Sequence, residues 1–420
     1  MEIIIIETKT VPTIKVVQNG KTIYLHSKYN PMNEVYSWVE NFVKIMKTNE
    51  NILIIGLGAG YHIKQIALAC KNQKVNVIEF NDEFYSWFIK SIFYESLSTL
   101  ENVCLLSFSR LSVNEKERLF SSYSSTNIKI HKSGMDLIPE KYVPLQSLLK
   151  DLQYQQLTID HQIDSLIENF DKNTLLNDVG IGKLRDDYRG RPMILASAGP
   201  SLTKQLPLLK EIKEEGLITI GAVGTAIKPM LKSEIIPDFF MISDPNKATL
   251  SQLVDVNIPE AKLFYLSTAF YETVLLHQGE RYILYQHGFG EAENRAKKRN
   301  EPLIKTGGSV ATSLLDTMIW LGAKSVALVG QDLAYTHGQS HAKGAHLQKI
   351  VNVTSNQLQV DNYDKNGLVN TSKNLTIYRK WLELYAQEHS DLSLYNCTEG
   401  GAYIENWNHI PLFKYKEIIK

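Results

Sequence analysis

With 420 residues, 45 Lys+Arg and 45 Asp+Glu, the chain has room for two or three hydrophobic cores and no global charge to attract nucleic acid or an anionic membrane. Its three cysteines, Cys70, Cys104 and Cys397, lack short spacings, which excludes a disulfide framework and a cysteine-rich zinc site and fits a reducing compartment. No apolar run approaches the ~20 residues of a bilayer span. The opening MEIIIIETKT lacks a basic start and a long apolar core, so it reads as an edge strand and the expected location is cytoplasmic.

Asn19-Gly20, set between TIKVV and KTIYL, predicts a hairpin, and Glu34 to Met46 carries apolar residues at helical spacing. Asn51 to Phe80 reads as one βαβ unit: a strand over Ile52 to Ile55, the turn Gly56-Leu57-Gly58-Ala59-Gly60, a helix over Ile63 to Cys70, and a strand over Val75 to Ile78 ending at Glu79. An acid at that distance suits the ribose of a dinucleotide or of adenosylmethionine. The glycines are GxGxG rather than the full dinucleotide pattern, however, and a structural turn is the preferred reading. Ser-rich α/β sequence follows to about His131, and Tyr142 to about Asp187 predicts one or two bridging helices.

The stretch from Arg191 to His346 organises the chain. Met193 to Ala198 runs into Gly199-Pro200-Ser201 and a helix, a strand–turn–helix whose unpaired backbone N–H groups suit a phosphate. Ser201 lacks the second glycine of a nucleophile elbow, so a hydroxyl that contacts phosphate or ribose is the better assignment. Strands follow over Leu217 to Val223, Asp238 to Ile242, Ala261 to Leu266 and Tyr282 to Gln286, with turns at Gly224-Thr225 and Ser243-Asp244-Pro245. Asp244 could cap a turn, hold a ribose hydroxyl or hold a metal on a diphosphate. Thr306-Gly307-Gly308-Ser309 opens another helix, and the strand Ser325 to Val329 ends in Gly330-Gln331-Asp332. The alternation of strands and helices predicts a mainly parallel sheet with ligands at its C-terminal edge.

Asp332, Tyr335, His337, His341 and His346 form a dense titratable cluster. The histidine spacings match no common zinc motif, so acid–base work is favoured over metal ligation. Beyond it, Val351 to Thr371 predicts a long lid-like loop, Ile377 to Gln387 a helix, Leu394 to Asn396 a short strand and Thr398-Glu399-Gly400-Gly401 a tight turn.

In combination, Gly199-Pro200-Ser201-Leu202, Ile236-Pro237-Asp238 with Ser243-Asp244-Pro245, Gly307-Gly308-Ser309-Val310-Ala311, and Gly330-Gln331-Asp332-Leu333-Ala334-Tyr335 with Ser340-His341-Ala342 resemble the motility-associated-factor (Maf) flagellin glycosyltransferases. The central domain of that family is similar to metal-independent bacterial sialyltransferases. The resemblance implies an α/β, multidomain fold: a Rossmann-like domain over 1–141, a helical connector over 142–188, a catalytic α/β domain over 189–346, and a lid loop with a largely helical part over 347–420. It implies transfer of a pseudaminic- or legionaminic-type nonulosonic acid from its CMP form to Ser or Thr of flagellin. Gly199, Pro200, Ser201, Gly224, Thr225, Asp244, Thr306, Gly307, Gly308, Ser309, Gly330 and Gln331 would bind nucleotide or substrate. His341, with His337 second and His346 behind, would be the base, and Tyr335 and Asp332 would assist. No resident metal or cofactor is expected, and Mg²⁺ is not expected to be essential.

The same central motifs also resemble an archaeal pterin pyrophosphokinase family, which would make Asp244 and Asp332 ligands of Mg²⁺ in ATP-dependent diphosphoryl transfer. That family is typically the central domain alone. A flagellin-binding factor without catalysis is the non-enzyme alternative, and a methyltransferase reading of the N-terminal glycines is expected to fail.

Overall fold

The computed structural model describes residues 1–345 and 358–420, and the fold it shows is mixed α/β in two compact units. The first comprises Met1–Ile163 with Gly288–Glu291, and the second Asp164–His287 with Ala292–Lys420.

In the first unit, β1 (Glu2–Ile6), β2 (Thr13–Gln18) and β3 (Lys21–Tyr24) form an antiparallel sheet. The β2–β3 turn has φ of 50° at Asn19 and 72° at Gly20, the paired positive values of a tight hairpin turn. Helix α1 (Pro31–Ile45) is capped by the Asn30 side chain and leads to β4 (Ile52–Ile55), α2 (Tyr61–Ala69) and β5 (Val75–Glu79). Then come α3 (Asp82–Phe88), α4 (Ile92–Ser98), β6 (Val103–Ser107), α5 (Val113–Ser121) and β7 (Ile128–Ile130). Their four strands pair in parallel in the order β6-β5-β4-β7.

Glu79 has a structural task. Its buried carboxylate accepts the Leu57 N–H at 3.2 Å and the Asn81 N–H at 3.0 Å, and so ties the glycine turn to the end of β5. Burial, opposed by those N–H donors, pushes its pKa up to about 7. A carboxyl raised from its ordinary value of 4.5 contributes stability that is complete below about pH 4.5 and lost as pH rises through about 7. Glu79→Gln should therefore gain on the parent by roughly 3 kcal/mol between pH 5 and pH 8. Chemical denaturation of both proteins at the two pH values measures this, and a pH-independent difference would refute it.

Helix α6 (Val143–Leu175) is one continuous helix of 33 residues, and the division between the units falls inside it. The connector expected over 142–188 is thus no separate body. Leu149 is buried in a core of the first unit, with Leu145 and Leu152 packed against it, whereas Asn169 and Asn173 serve the second.

The second unit begins with β8 (Val179–Gly180), α7 (Arg185–Tyr188), β9 (Pro192–Ala196), α8 (Leu202–Glu215), β10 (Thr219–Val223), α9 (Ile227–Lys232) and β11 (Phe239–Ile242). It continues through α10 (Leu250–Leu253), β12 (Lys262–Leu266), α11 (Tyr271–Leu276), β13 (Arg281–Gln286), α12 (Gly290–Arg299, in this unit from Ala292), β14 (Leu303–Ile304), α13 (Val310–Trp320) and β15 (Ser325–Val329). The last elements are the hairpin β16 (Leu358–Asp361) and β17 (Leu368–Thr371), α14 (Lys373–Glu388), β18 (Ser393–Asn396), β19 (Asn408–His409) and α15 (Leu412–Ile419). Ten of these strands form one sheet, in the order β14-β13-β12-β11-β10-β9-β15-β18-β19 with β8 beside β13, and every pairing is parallel. The middle strands are buried along their whole length, as a parallel sheet covered on both faces requires.

Two expectations for the C-terminal part change. The lid-like loop expected over Val351 to Thr371 lies outside the described residues as far as 357, but from Leu358 it is a hairpin. Asn362-Tyr363-Asp364-Lys365-Asn366-Gly367 supplies its turn, closed by the Asn362 N–H donating to Gly367 C=O at 2.9 Å. The polar composition that suggested a loop is that of an exposed two-stranded ribbon. Alongside helices α14 and α15, the C-terminal part also contributes β18 and β19 to the main sheet. Among the described residues no helix is long and apolar enough to cross a membrane.

Candidate active site at the strand-order reversal

Chain order in the main sheet runs outward from β9 through β10 to β14, then returns so that β15 pairs with the other side of β9. In parallel α/β sheets that reversal opens a crevice at the carboxyl ends of the two strands. Here it brings together Ser197 to Ser201, after β9, and Gly330 to Asp332, after β15.

The two turns are bonded to each other. Ser197 N–H donates to Val329 C=O at 2.8 Å, and Gly199 N–H to Gly330 C=O at 2.7 Å. Asp332, only 2% exposed, takes the Ser201 hydroxyl at 2.6 Å on Oδ2 and the Thr336 hydroxyl at 2.6 Å on Oδ1, while the Ser201 N–H lies 3.2–3.3 Å from both oxygens. Desolvation raises its pKa against the pull of these donors. The turns leave no room for side chains: a Cβ on Gly199 would sit 2.1 Å from Asp332 Oδ2 and 2.4 Å from Gly330 C=O.

Two further segments complete the knot. Gln331 N–H donates to Thr398 Oγ1 at 3.2 Å and Ala402 N–H to Asp332 C=O at 2.7 Å, which docks the Thr398 to Gly401 turn on the aspartate. The hairpin is stitched on from the other direction, with Tyr335 N–H donating to Asn370 C=O at 2.8 Å and Thr371 Oγ1 to Leu333 C=O at 2.8 Å. Leu333 between them has φ of 52°, a left-handed conformation that a branched side chain adopts only when the surroundings impose it.

Of the acid–base candidates, His341 is half-buried, its Nδ1 lies 3.1 Å from Ser340 Oγ, and the adjacent Ala342 N–H donates to Ala198 C=O at 2.8 Å. That bond anchors the His341 segment to the end of β9. Tyr335 is half-buried beside the hairpin. The side chain of His337 and all of His346 lie outside the described residues. Asp332 is a positioning group here, since donors from Ser201 and Thr336 occupy both its oxygens.

The remaining candidates line the same sheet edge in sequence. Gly224-Thr225 follow β10, next to β9, and a Cβ on Gly224 would meet Gln252 Oε1 at 2.1 Å. Asp244 follows β11; its exposed carboxylate accepts the Asn246 N–H at 2.9 Å and side-chain amide at 2.6 Å, a turn-capping role. Thr306 to Ser309 follow β14, and β13, β12, β11 and β10 stand between β14 and β9. Ser309 caps α13, and Gly307 is required by packing, because a Cβ there would lie 2.5 Å from the Trp381 ring. Those glycines serve contact with α14, so the turn is not brought against Ser201. Asp238, in the Ile236-Pro237-Asp238 motif, lies at the opposite edge, where it accepts the Ile220 N–H at 2.7 Å and Lys213 Nζ at 2.6 Å.

Two residues escaped the sequence reading. Asn169 and Asn173, one helical turn apart on α6, are buried and aimed at the edge. Asn169 donates to Pro245 C=O at 3.0 Å, and Asn173 to Ser267 C=O at 3.0 Å and Ala269 C=O at 2.7 Å. The available signal was an Asn-x-x-x-Asn pair within an otherwise amphipathic helix. Ser267, Thr268 and Gln286, themselves linked by hydrogen bonds, extend the polar row after β12 and β13.

The family model described as "6-hydroxymethylpterin diphosphokinase MptE-like" matches residues 164–338, the part of the second unit from α6 through the turn after β15. No curated protein sequence matches the chain. Among solved structures, the chain is similar to the Maf glycosyltransferase from Magnetospirillum magneticum AMB-1, with 14% identity, a TM-score of 0.52, and coverage of 94% of this chain and 68% of that one, a likeness of fold that embraces both units.

Proposed function

We propose that this chain is a glycosyltransferase of the Maf type that moves a nonulosonic acid from its CMP-activated form to Ser or Thr of flagellin. The reading rests on the interlocked Gly199-Pro200-Ser201 and Gly330-Gln331-Asp332 turns at the strand-order reversal, set in a chain that follows the fold of a Maf glycosyltransferase over nearly its whole length. The departing phosphate would be received at the N-terminal end of α8, whose dipole favours developing negative charge, by the Ser201 hydroxyl once it turns from Asp332 toward the ligand. His341 would take the acceptor hydroxyl proton as oxygen bonds to the anomeric carbon; the bond to phosphate breaks and CMP leaves with the electron pair. Asp332 holds Ser201 and Thr336 in place. Thr225 and Asp244, on the strand ends beyond β9, would reach the nucleoside.

The test is intact mass of flagellin after incubation with the enzyme and CMP-pseudaminic or CMP-legionaminic acid. Addition of whole sugar residues is expected, whereas an unchanged mass with both donors refutes the proposal. Ser201→Ala removes the hydroxyl that would turn from Asp332 to the ligand and should weaken CMP binding about tenfold by calorimetry, equivalent to ~1.4 kcal/mol; unchanged affinity would remove Ser201 from the site.

The match of residues 164–338 to a pterin diphosphokinase family favours a second reading, diphosphoryl transfer from ATP to a pterin. ATP binding that demands Mg²⁺, together with silence toward CMP, would select it. Flagellin binding without transfer of either kind would select a non-catalytic factor.

A further inference from the structure

The first unit repeats, on a smaller sheet, the topology that builds the crevice of the second. Its chain runs β4, β5, β6 outward and returns to place β7 against β4, so its own strand-order reversal lies between the ends of β4 and β7. The glycine turn that follows β4 holds no ribose-binding acid, since Glu79 is consumed in bracing it. Three histidines stand there instead. His26 follows β3, His62 is the second residue of α2, and His131 directly follows β7. They are 4%, 1% and 5% exposed.

The three rings converge. Their centroids are 4.6 Å apart for His62–His131, 4.7 Å for His26–His131 and 5.4 Å for His26–His62, and one nitrogen of each lies within 4.8 Å of the others. Gly58 is the condition of that convergence, because a Cβ at this position would come within 2.8–3.0 Å of all three imidazoles. The middle glycine of the GxGxG turn is thus explained by the histidines and not by a dinucleotide.

Buried imidazoles ordinarily spend both nitrogens on hydrogen bonds. Here His26 Nε2 and His62 Nδ1 have no hydrogen-bond partner, and His26 Nδ1 has the Glu34 carboxylate 3.5 Å away. The contacts made by His62 and His26 orient those two rings as a metal's supporting partners would. His62 Nε2 lies 3.2 Å from Gly56 C=O, so its proton sits there and the Nδ1 lone pair is bare. Glu34 Oε1 is 3.5 Å from His26 Nδ1, the carboxylate placement that leaves Nε2 as the ligand atom. His131 accepts the Gly134 N–H on Nδ1 at 3.2 Å, a bond it would have to give up to an ion.

From this geometry we propose that His26, His62 and His131 form a binding site for a single divalent transition ion of the zinc class, with a fourth position open to water or an exogenous ligand. Three neutral imidazoles are a donor set of borderline softness, suited to Zn²⁺ rather than Mg²⁺ or Ca²⁺. An anion is disfavoured, since the unpartnered His62 Nδ1 offers a lone pair and not a proton. Zinc–nitrogen bonds of 2.0–2.1 Å at tetrahedral angles put the nitrogens about 3.3 Å apart, so the rings must close by up to ~1.5 Å, and the stacked His62 and His131 rings, 9° from parallel, must also tilt to aim both lone pairs at one ion. A cavity of about 580 Å³ adjoins the cluster, lined by His26 and Glu34 with Lys28, Lys129 and Lys132, and gives the open position a route to a small anionic ligand.

The experiment uses the full chain, freed of any affinity tag. Metal content is measured after dialysis against Zn²⁺ and then against buffer, and Co²⁺ is titrated as a spectroscopic probe. One equivalent of zinc and the visible absorption of tetrahedral Co²⁺ are expected, with at least a hundredfold loss of Co²⁺ affinity in His26→Ala and in His62→Ala. Glu34→Gln, outside the ligand set, should keep the stoichiometry and weaken binding about tenfold. Less than a tenth of an equivalent in the folded parent overturns the proposal, as does equal zinc uptake by parent and His26→Ala/His62→Ala. Both readouts are independent of CMP, ATP and flagellin.

Discussion

Asp332→Ala should cost the second unit about 3–5 kcal/mol and lower its unfolding temperature by about 10 °C. The mutation leaves the Ser201 N–H and hydroxyl and the Thr336 hydroxyl unpaired in a water-poor site, each such group costing about 1–3 kcal/mol, and opens a void beneath two turns. On the proposed function, sugar transfer should fall below a hundredth of the parent's. Asp332→Asn preserves shape, and the two hydroxyls can rotate to suit it, so it should lose only ~1 kcal/mol and keep more than a tenth of the activity. Calorimetric scanning and an initial-rate assay of both variants separate the roles. If the asparagine variant is as inactive as the alanine one, the carboxylate handles a proton and is not merely a brace.

The second large effect is expected at Gly199→Ala. One added carbon would stand 2.1 Å from Asp332 Oδ2 and 2.4 Å from Gly330 C=O, and neither can retreat, because each is bonded to the opposing turn. Overpacking of this severity should cost at least ~3 kcal/mol and part β9 from β15 at their carboxyl ends. Hydrogen exchange should report it as lost protection at Ser197 and Gly199, with the starts of both strands unchanged. Protection that persists at Ser197 would show that the turn has slack the geometry does not suggest. Gly224→Ala is the control: it also meets an oxygen at 2.1 Å, but that oxygen ends the flexible Gln252 side chain and can move aside.

Local chemistry was legible wherever sequence neighbours carry it. The Asn19-Gly20 hairpin, the strand that ends at Gly199-Pro200-Ser201 and the Ser309 cap of α13 all follow from residues a few positions apart. Partnership was not. Ser201 and Asp332 are 131 residues apart, and nothing in either segment announces the other. The histidine cluster was hidden for the same reason, since positions 26, 62 and 131 meet only through the strand order of the first unit, while the conspicuous run from His337 to His346 drew the attention. Glycine carried the most ambiguous signal. Gly307 suggested a phosphate seat and leaves clearance for Trp381, whereas Gly58, in a turn read as structural, leaves clearance for three imidazoles. In both cases the group that comes close lies elsewhere in the chain.

The order in which the main sheet is assembled bears on the life of the nascent protein. Gln205, on the helix that follows the Gly199-Pro200-Ser201 turn, reaches its backbone partner Cys397 only 192 residues later, which at ribosomal speeds of 5–20 residues per second is a delay of roughly 10–40 s. In the last part of that interval, between the making of β15 and of β18, β15 is an open border, and its Val326-Ala327-Leu328-Val329 run has no neighbour on the side that β18 will occupy. Non-local parallel pairing of this kind forms slowly, and an unpaired apolar border is where chains stick to one another. Synthesis in the cell should accordingly depend on chaperones that shield this border, and the crevice at Asp332 takes its final form only once the turn at Gly400-Gly401 has been made and docked.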